Sequence, residues 1–279
     1  MKKAPLLFTL LPTLIILAGC HSDHSFSQQS QVNASETTST SQLNYSDYET
    51  TLSTYVDDQG LVNYQALQAK REALDNFNSS FATVTPSTYA TWSEAQQLAF
   101  WINAYNSFTL QSIIDQNPLK ESIKDIFGVW KINKWPILDQ QKTLDNIEHK
   151  TIRADFNEPR IHVALVCAAV SCPPLRNEPY TATQLDAQLD DQTRKFIASP
   201  QGFRIDRAEG TVYLSKIFEW YGDDWIDGYG IDDKFTGRAG QRAVLNFISA
   251  YLPEADQEYL ARGNYKIKYL NYDWSLNKQ

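Results

Sequence analysis

The sequence predicts an α+β domain, or an α/β one with an irregular sheet, in which helices pack on a central mixed sheet. Three observations lead there. The stretch from Ser93 to the stop at Asn117-Pro118 carries apolar residues at helical spacing behind a capping-box pattern, Ser93-Glu94-Ala95-Gln96. The run from Arg160 to Ala168 is apolar on both parities apart from His162, as in a strand covered on both faces. The segments Phe203 to Asp206 and Thr211 to Leu214 alternate around a glycine-containing turn, as a hairpin does. A helix with inward polar side chains against a histidine-bearing strand is loosely analogous to the papain and transglutaminase architecture.

Composition narrows the function classes. At 42% hydrophobic and 13% aromatic over 279 residues, the chain can bury a sizeable core. The formal charge of −8 argues against nucleic acid, which needs a surplus of Lys and Arg. Three cysteines cannot form a disulfide scaffold or a four-cysteine zinc site. No metal or other cofactor is expected, because the histidines and acids do not cluster at ligand spacing.

Along the chain, residues 1–19 read as a lipoprotein signal peptide: Lys2 and Lys3, then an apolar run short of the roughly 20 residues a bilayer span takes. Leu17-Ala18-Gly19-Cys20 is similar to the bacterial lipobox, which implies cleavage before Cys20 and lipid on its thiol. The membrane, reached through that anchor, is therefore the expected partner; a protein partner or small molecule is not identified. Cleavage also removes Lys2 and Lys3, so no basic patch assists the anchor. By the sorting habit of Gram-negative envelopes, His21 in place of Asp points to the outer membrane, facing the periplasm. Residues 20–44, rich in Ser, Thr and Gln, read as a flexible tether of about 25–30 Å.

A single domain, 45–279, follows without repeat or second linker. Leu67, Leu74, Phe77 and Phe81 recur at helical intervals after the Asp57-Asp58-Gln59-Gly60 turn. The helix after Ser93 has apolar residues on more than one face, and Asn103 and Asn106 sit within it at i and i+3. Those amides either brace a neighbouring loop or orient a catalytic group. Thr143 to Phe156 reads as a helix with Glu148 and His149 in its middle, one facing inward and the other solvent or a cleft edge. Thr181 opens another helix, to about Ser199, and Arg238 to Leu252 a further one. The acidic, aromatic stretch from Phe218 to Phe235 fails the spacing of a calcium loop. Tyr265, Ile267 and Tyr269 alternate as a last strand.

Four blocks, AFWINAYNSFTL, LDNIEHKTIR, PRIHVALVCAAVSCPPL and YLNYDWSLN, resemble in order the domain of unknown function 547 family. The resemblance spans about Asp57 to Asn277 and implies motif positions at Asn103, Asn106, Glu148, His149, Arg153, Arg160, His162, Cys167, Cys172 and Pro173. It implies no particular reaction.

Two functions of different class fit these residues. In one, Cys172 or Cys167 is the nucleophile of a thiol-dependent hydrolase or acyl transferase, with His162 or His149 as base and Glu148, Asn103 or Asn106 orienting it. Strand alternation would put His162 on the face opposite Cys167, so His162 would pair with Cys172 on the following loop or with neither cysteine. In the other, Cys167 and Cys172 form a structural disulfide in a non-enzymatic periplasmic module.

Overall fold

The structure, a computed structural model, describes Leu43 and residues 45–279; the signal peptide and Cys20 lie outside the described residues, as does the tether apart from Leu43. Leu43 itself is buried against the first of two hydrophobic clusters. Among the described residues no helix is long and apolar enough to cross a membrane.

The architecture is α+β. Helices α1 (Tyr45–Tyr55), α2 (Tyr64–Ala69), α3 (Glu72–Ser80) and α4 (Pro86–Tyr89) precede α5 (Glu94–Ile114). The capping box at the head of α5 forms as the sequence predicts: the Gln96 amide donates to Ser93 Oγ, and Ser93 N–H donates to Gln96 Oε1 at 2.8 Å. Every residue of α5 from Leu98 to Ile114 is buried, which makes it the axis of the first cluster. Helices α2 and α3 pack on it, and α1 packs on both of them.

A short hairpin follows, β1 (Trp135–Ile137) and β2 (Gln140–Lys142), turned by Leu138 and Asp139 with φ of 51° and 56°, the geometry of a type I′ turn. The helix expected after Thr143 is present in three pieces: α6 (Leu144–Ile147), a π-helical turn (Glu148–Ile152) and α7 (Arg153–Asp155).

The run from Arg160 to Ala168 is not a strand. Pro159–Val163 forms a 3-10 turn, opened by Pro159 and by a Glu158 side chain that accepts the Arg160 N–H, and an irregular loop continues to Cys172. The backbone partners a strand would have found in a sheet come instead from α5. Asn106 Nδ2 donates to the Ala164 carbonyl, and its Oδ1 accepts the Val166 N–H, each at 2.9 Å. A short apolar run signals burial without choosing between strand and coil, and here a side chain decides. With a 3-10 turn and loop in place of a strand, no alternation sets His162 on the face opposite Cys167.

Helix α8 (Leu185–Ala198) starts later than the Thr181 pattern suggested. The expected hairpin is present as β3 (Phe203–Asp206) and β4 (Thr211–Leu214), with Phe203 opposite Leu214. After α9 (Lys216–Tyr221), a 3-10 turn (Gly222–Trp225), α10 (Ile226–Tyr229), α11 (Ala239–Ser249) and α12 (Glu254–Ala261), the last strand, β5 (Lys266–Tyr269), adds to β4 in parallel. The resulting sheet, β3-β4-β5, belongs to a second cluster that includes Phe196, Val212, Leu214, Trp225 and Phe247. The sheet is thus peripheral to α5, and no strand from 161 to 168 crosses its middle.

Candidate functional site

A cavity of about 390 Å³ opens where the two clusters meet. Its walls bring together five of the side chains singled out from sequence: Cys167, Cys172, His162, His149 and Glu148.

The cysteines are joined. Cys167 and Cys172 form a disulfide across a loop whose second residue, Ala168, is held at φ 57°, in the left-handed region. The Cys167 N–H donates to Cys172 Sγ, and the Tyr272 hydroxyl lies 3.1 Å from each sulfur. The loop is clamped from outside by the segment that follows β5. Val170 N–H donates to the Ser275 carbonyl at 2.8 Å, Ser171 N–H to that of Asp273, and Asn277 N–H to that of Ala168. Asn277 is itself fixed by the Tyr64 hydroxyl, which donates to its Oδ1 at 2.7 Å. This lacing explains why YLNYDWSLN belongs with the cysteine block although about a hundred residues separate them.

A chain of polar contacts crosses the adjoining wall. His162 is buried and donates from Nε2 to Asp224 Oδ2 at 2.7 Å. Arg153 donates to both oxygens of the same carboxylate, at 2.7 and 2.8 Å, and from Nη1 to His149 Nδ1 at 3.1 Å. A guanidinium can only donate, so Nδ1 of His149 accepts and its ring proton is on Nε2, which points toward Asp145 at 3.9 Å. Burial lowers the pKa of His162 below its ordinary value, and the hydrogen bond to Asp224 offsets this only in part. Burial raises Asp224, but the hydrogen bonds from His162 and Arg153 outweigh it and hold the carboxyl well below the usual range. His162 is thus a neutral donor, and Arg153 supplies the counter-charge.

Glu148 and His149 both line the cavity, Glu148 buried and His149 toward the edge. Glu148 faces the phenols of Tyr105 and Tyr221; burial first, and then its charge, drives both phenol pKa values up. The π-helical turn begins at Glu148, and an irregularity of this kind inside a helix recurs at functional sites.

Asn103 and Asn106 are not among the cavity-lining side chains. Asn103 spans Tyr180, donating to its carbonyl at 2.8 Å and accepting its N–H at 3.0 Å, much as Asn106 spans Ala164 and Val166. Both brace neighbouring backbone. Arg160 likewise clamps, pairing with Glu158 and Asp186 away from the cavity. Sequence reasoning missed Asp224, Tyr105, Trp220, Tyr221 and Tyr272, all in or behind the cavity wall. Asp224 lies in the acidic, aromatic stretch whose spacing fails a calcium loop, and its pairing with His162 has no spacing signature. Among the described residues no group of three or more His, Cys, Asp or Glu side chains is placed to hold a metal ion.

Residues 89–197 match the family described as "Protein of unknown function, DUF547". The match takes in the first three resembling blocks, hence α5, the π turn and the cysteine loop, and ends before α9 and the C-terminal segment that complete the cavity. No curated protein and no solved structure matches the chain.

Proposed function

We propose that this protein is a lipid-anchored envelope module whose cavity binds a small molecule, with the Cys167–Cys172 disulfide bracing one wall. The anchor rests on the lipobox-like Leu17-Ala18-Gly19-Cys20 and the tether behind it, and His21 favours the outer membrane facing the periplasm. The observation that carries the binding reading is the state of the sulfurs: they are bonded to each other and capped by the Tyr272 hydroxyl at 3.1 Å, in a cavity whose lining mixes aromatic rings with ionisable and aliphatic side chains. An oxidised pair cannot attack a carbonyl, and an oxidising periplasm keeps such a pair closed.

Trapping thiols in protein taken directly from the envelope tests this. Neither Cys167 nor Cys172 labels until a reductant is added, and Cys20→Ser releases the protein from the membrane fraction. Full labelling without reductant, or membrane retention of the Cys20→Ser variant, overturns the corresponding half of the reading.

One observation favours a second reading, the thiol-dependent hydrolase or acyl transferase. His162 is paired with Asp224 on a wall of the cavity that also holds both sulfurs, and a carboxylate-oriented imidazole is the base such chemistry uses. After reduction, Cys172 would then label with iodoacetamide faster than a free thiol, and His162→Gln would abolish the excess rate. Labelling at or below the rate of a free thiol discards this reading.

A further inference from the structure

The binding reading leaves the ligand's chemistry open, and the cavity walls constrain it. Glu148 is only 9% exposed and lines the cavity, so its carboxylate is poorly hydrated and its neighbours must supply what water does not. Among the described residues its ion-pair partner is His149, with Nδ1 at 3.8 Å. That nitrogen already accepts from Arg153, so it offers Glu148 no proton. Arg153 in turn spends two of its donors on Asp224. Tyr105 and Tyr221 face the carboxylate with hydroxyls, which are neutral. The Arg153 charge also acts on Glu148 but is shared with Asp224, so Glu148 has no counter-charge of its own, and Asp145 adds a second carboxylate to the lining. Against these two acids the cavity sets one lysine, Lys131, whose side chain is exposed.

Another part of the lining is aromatic. Trp220, Tyr272 and Trp274 are in mutual contact, with ring centroids 4.8, 4.5 and 5.9 Å apart, and Trp220 is 46% exposed at the cavity mouth. Aromatic faces carry negative potential and attract a desolvated cation. One ring of this cluster already meets a cation, since Nζ of the exposed Lys124 lies 5.2 Å from the ring centroid of Trp274.

We infer that the cavity takes a small organic cation with a methylated ammonium group, its charge set between Glu148 and the Trp220, Tyr272 and Trp274 rings. The inference rests on the binding reading. A methylated ammonium suits the site better than a metal ion, because it loses little hydration on entering and uses rings as well as a carboxylate.

Choline and its neutral isostere 3,3-dimethylbutan-1-ol test this on the full folded protein, followed by tryptophan fluorescence and calorimetry, with N-acetylglucosamine as a neutral sugar probe. Choline binds at least tenfold more tightly than the alcohol. Glu148→Gln, verified as folded by thermal denaturation, removes that preference by weakening choline far more than it changes the alcohol's affinity. Trp220→Leu, at an exposed position, weakens choline about fivefold. Equal affinity for choline and the alcohol, an unaltered preference in Glu148→Gln, or binding of the sugar alone overturns the cation assignment and leaves the cavity as a binding site. No response to any of the three probes overturns the cation assignment and counts against the binding reading as well.

Discussion

Asn103 and Asn106 on α5, and Glu148 and His149 on the π turn, are polar residues of the same first cluster, yet they are satisfied in different ways. Each asparagine has both ends of its amide spent on backbone: Asn103 on Tyr180, Asn106 on Ala164 and Val166. Glu148 has phenols and an imidazole 3.8 Å away, and it opens on a cavity. A polar group saturated by backbone is part of the fold, whereas a buried carboxylate left short of charge is poised for something that arrives from outside. From sequence alone all four were site candidates.

The largest effect should come from the saturated side of that comparison. Asn106→Ala strands the Ala164 carbonyl and the Val166 N–H in the core. Each unpaired group costs about 1–3 kcal/mol, so the variant should lose about 3 kcal/mol in chemical denaturation. Asn103→Ala should lose a comparable amount through Tyr180. A loss below about 1 kcal/mol for both would erase the distinction drawn here.

Next is the disulfide. Closing so short a loop restricts the unfolded chain by about 2 kcal/mol, so Cys167→Ser with Cys172→Ser should lower stability by that amount under oxidising conditions. With reductant present, wild type and variant should denature together. A difference that persists in reductant would mean that the thiols contribute through packing rather than through the bond.

How much of this was legible in the sequence follows the same division. α5 was readable because its signals are local: Ser93 and Gln96 form the cap, and apolar residues on all faces announce a buried helix. The β3-β4 hairpin and the alternation that became β5 were local too. The 161–168 segment was misread because its partner is a side chain on α5, and burial alone does not specify what meets a backbone amide. The five cavity residues shared with the sequence candidates came from chemistry-bearing types in compact blocks. Asp224 stayed hidden because its role depends on α9 and the turn after it delivering a carboxylate to His162 across 62 residues of chain.

The His162 and Asp224 pair sharpens the comparison through pH. The folded-state pKa of His162 lies below its ordinary 6.5, so as pH falls through that range the unfolded chain takes up a proton first and stability drops. Asp224 is depressed below its ordinary 3.8, so the stability it contributes is full above that value and is lost as pH falls further toward the folded pKa. Both arms have the same sign, and denaturation midpoints should decline with acid in two stages. His162→Gln should flatten the upper stage and, because His162 is one of the two donors that hold the Asp224 carboxyl down, shrink the lower one while Arg153 keeps part of it. An unchanged upper stage would assign it to other groups.

The smallest change in stability, and the one that completes the comparison, is expected at Glu148. A residue that holds the fold together loses stability when its charge is removed, whereas a carboxylate kept buried for a ligand should not. Glu148→Gln keeps the shape of the side chain, retains hydrogen bonding toward Tyr105 and Tyr221, and removes a charge that is poorly hydrated and incompletely paired. Relief of that burial offsets whatever hydrogen-bond strength the neutral amide gives up, because a buried charge without a full partner is itself a cost. The variant should therefore unfold within about 1 kcal/mol of wild type, on either side of it, and a gain would be the clearer result. A loss of about 3 kcal/mol, equal to that of Asn106→Ala, would place Glu148 with the asparagines as a structural group and remove the reason to seek a cation in the cavity.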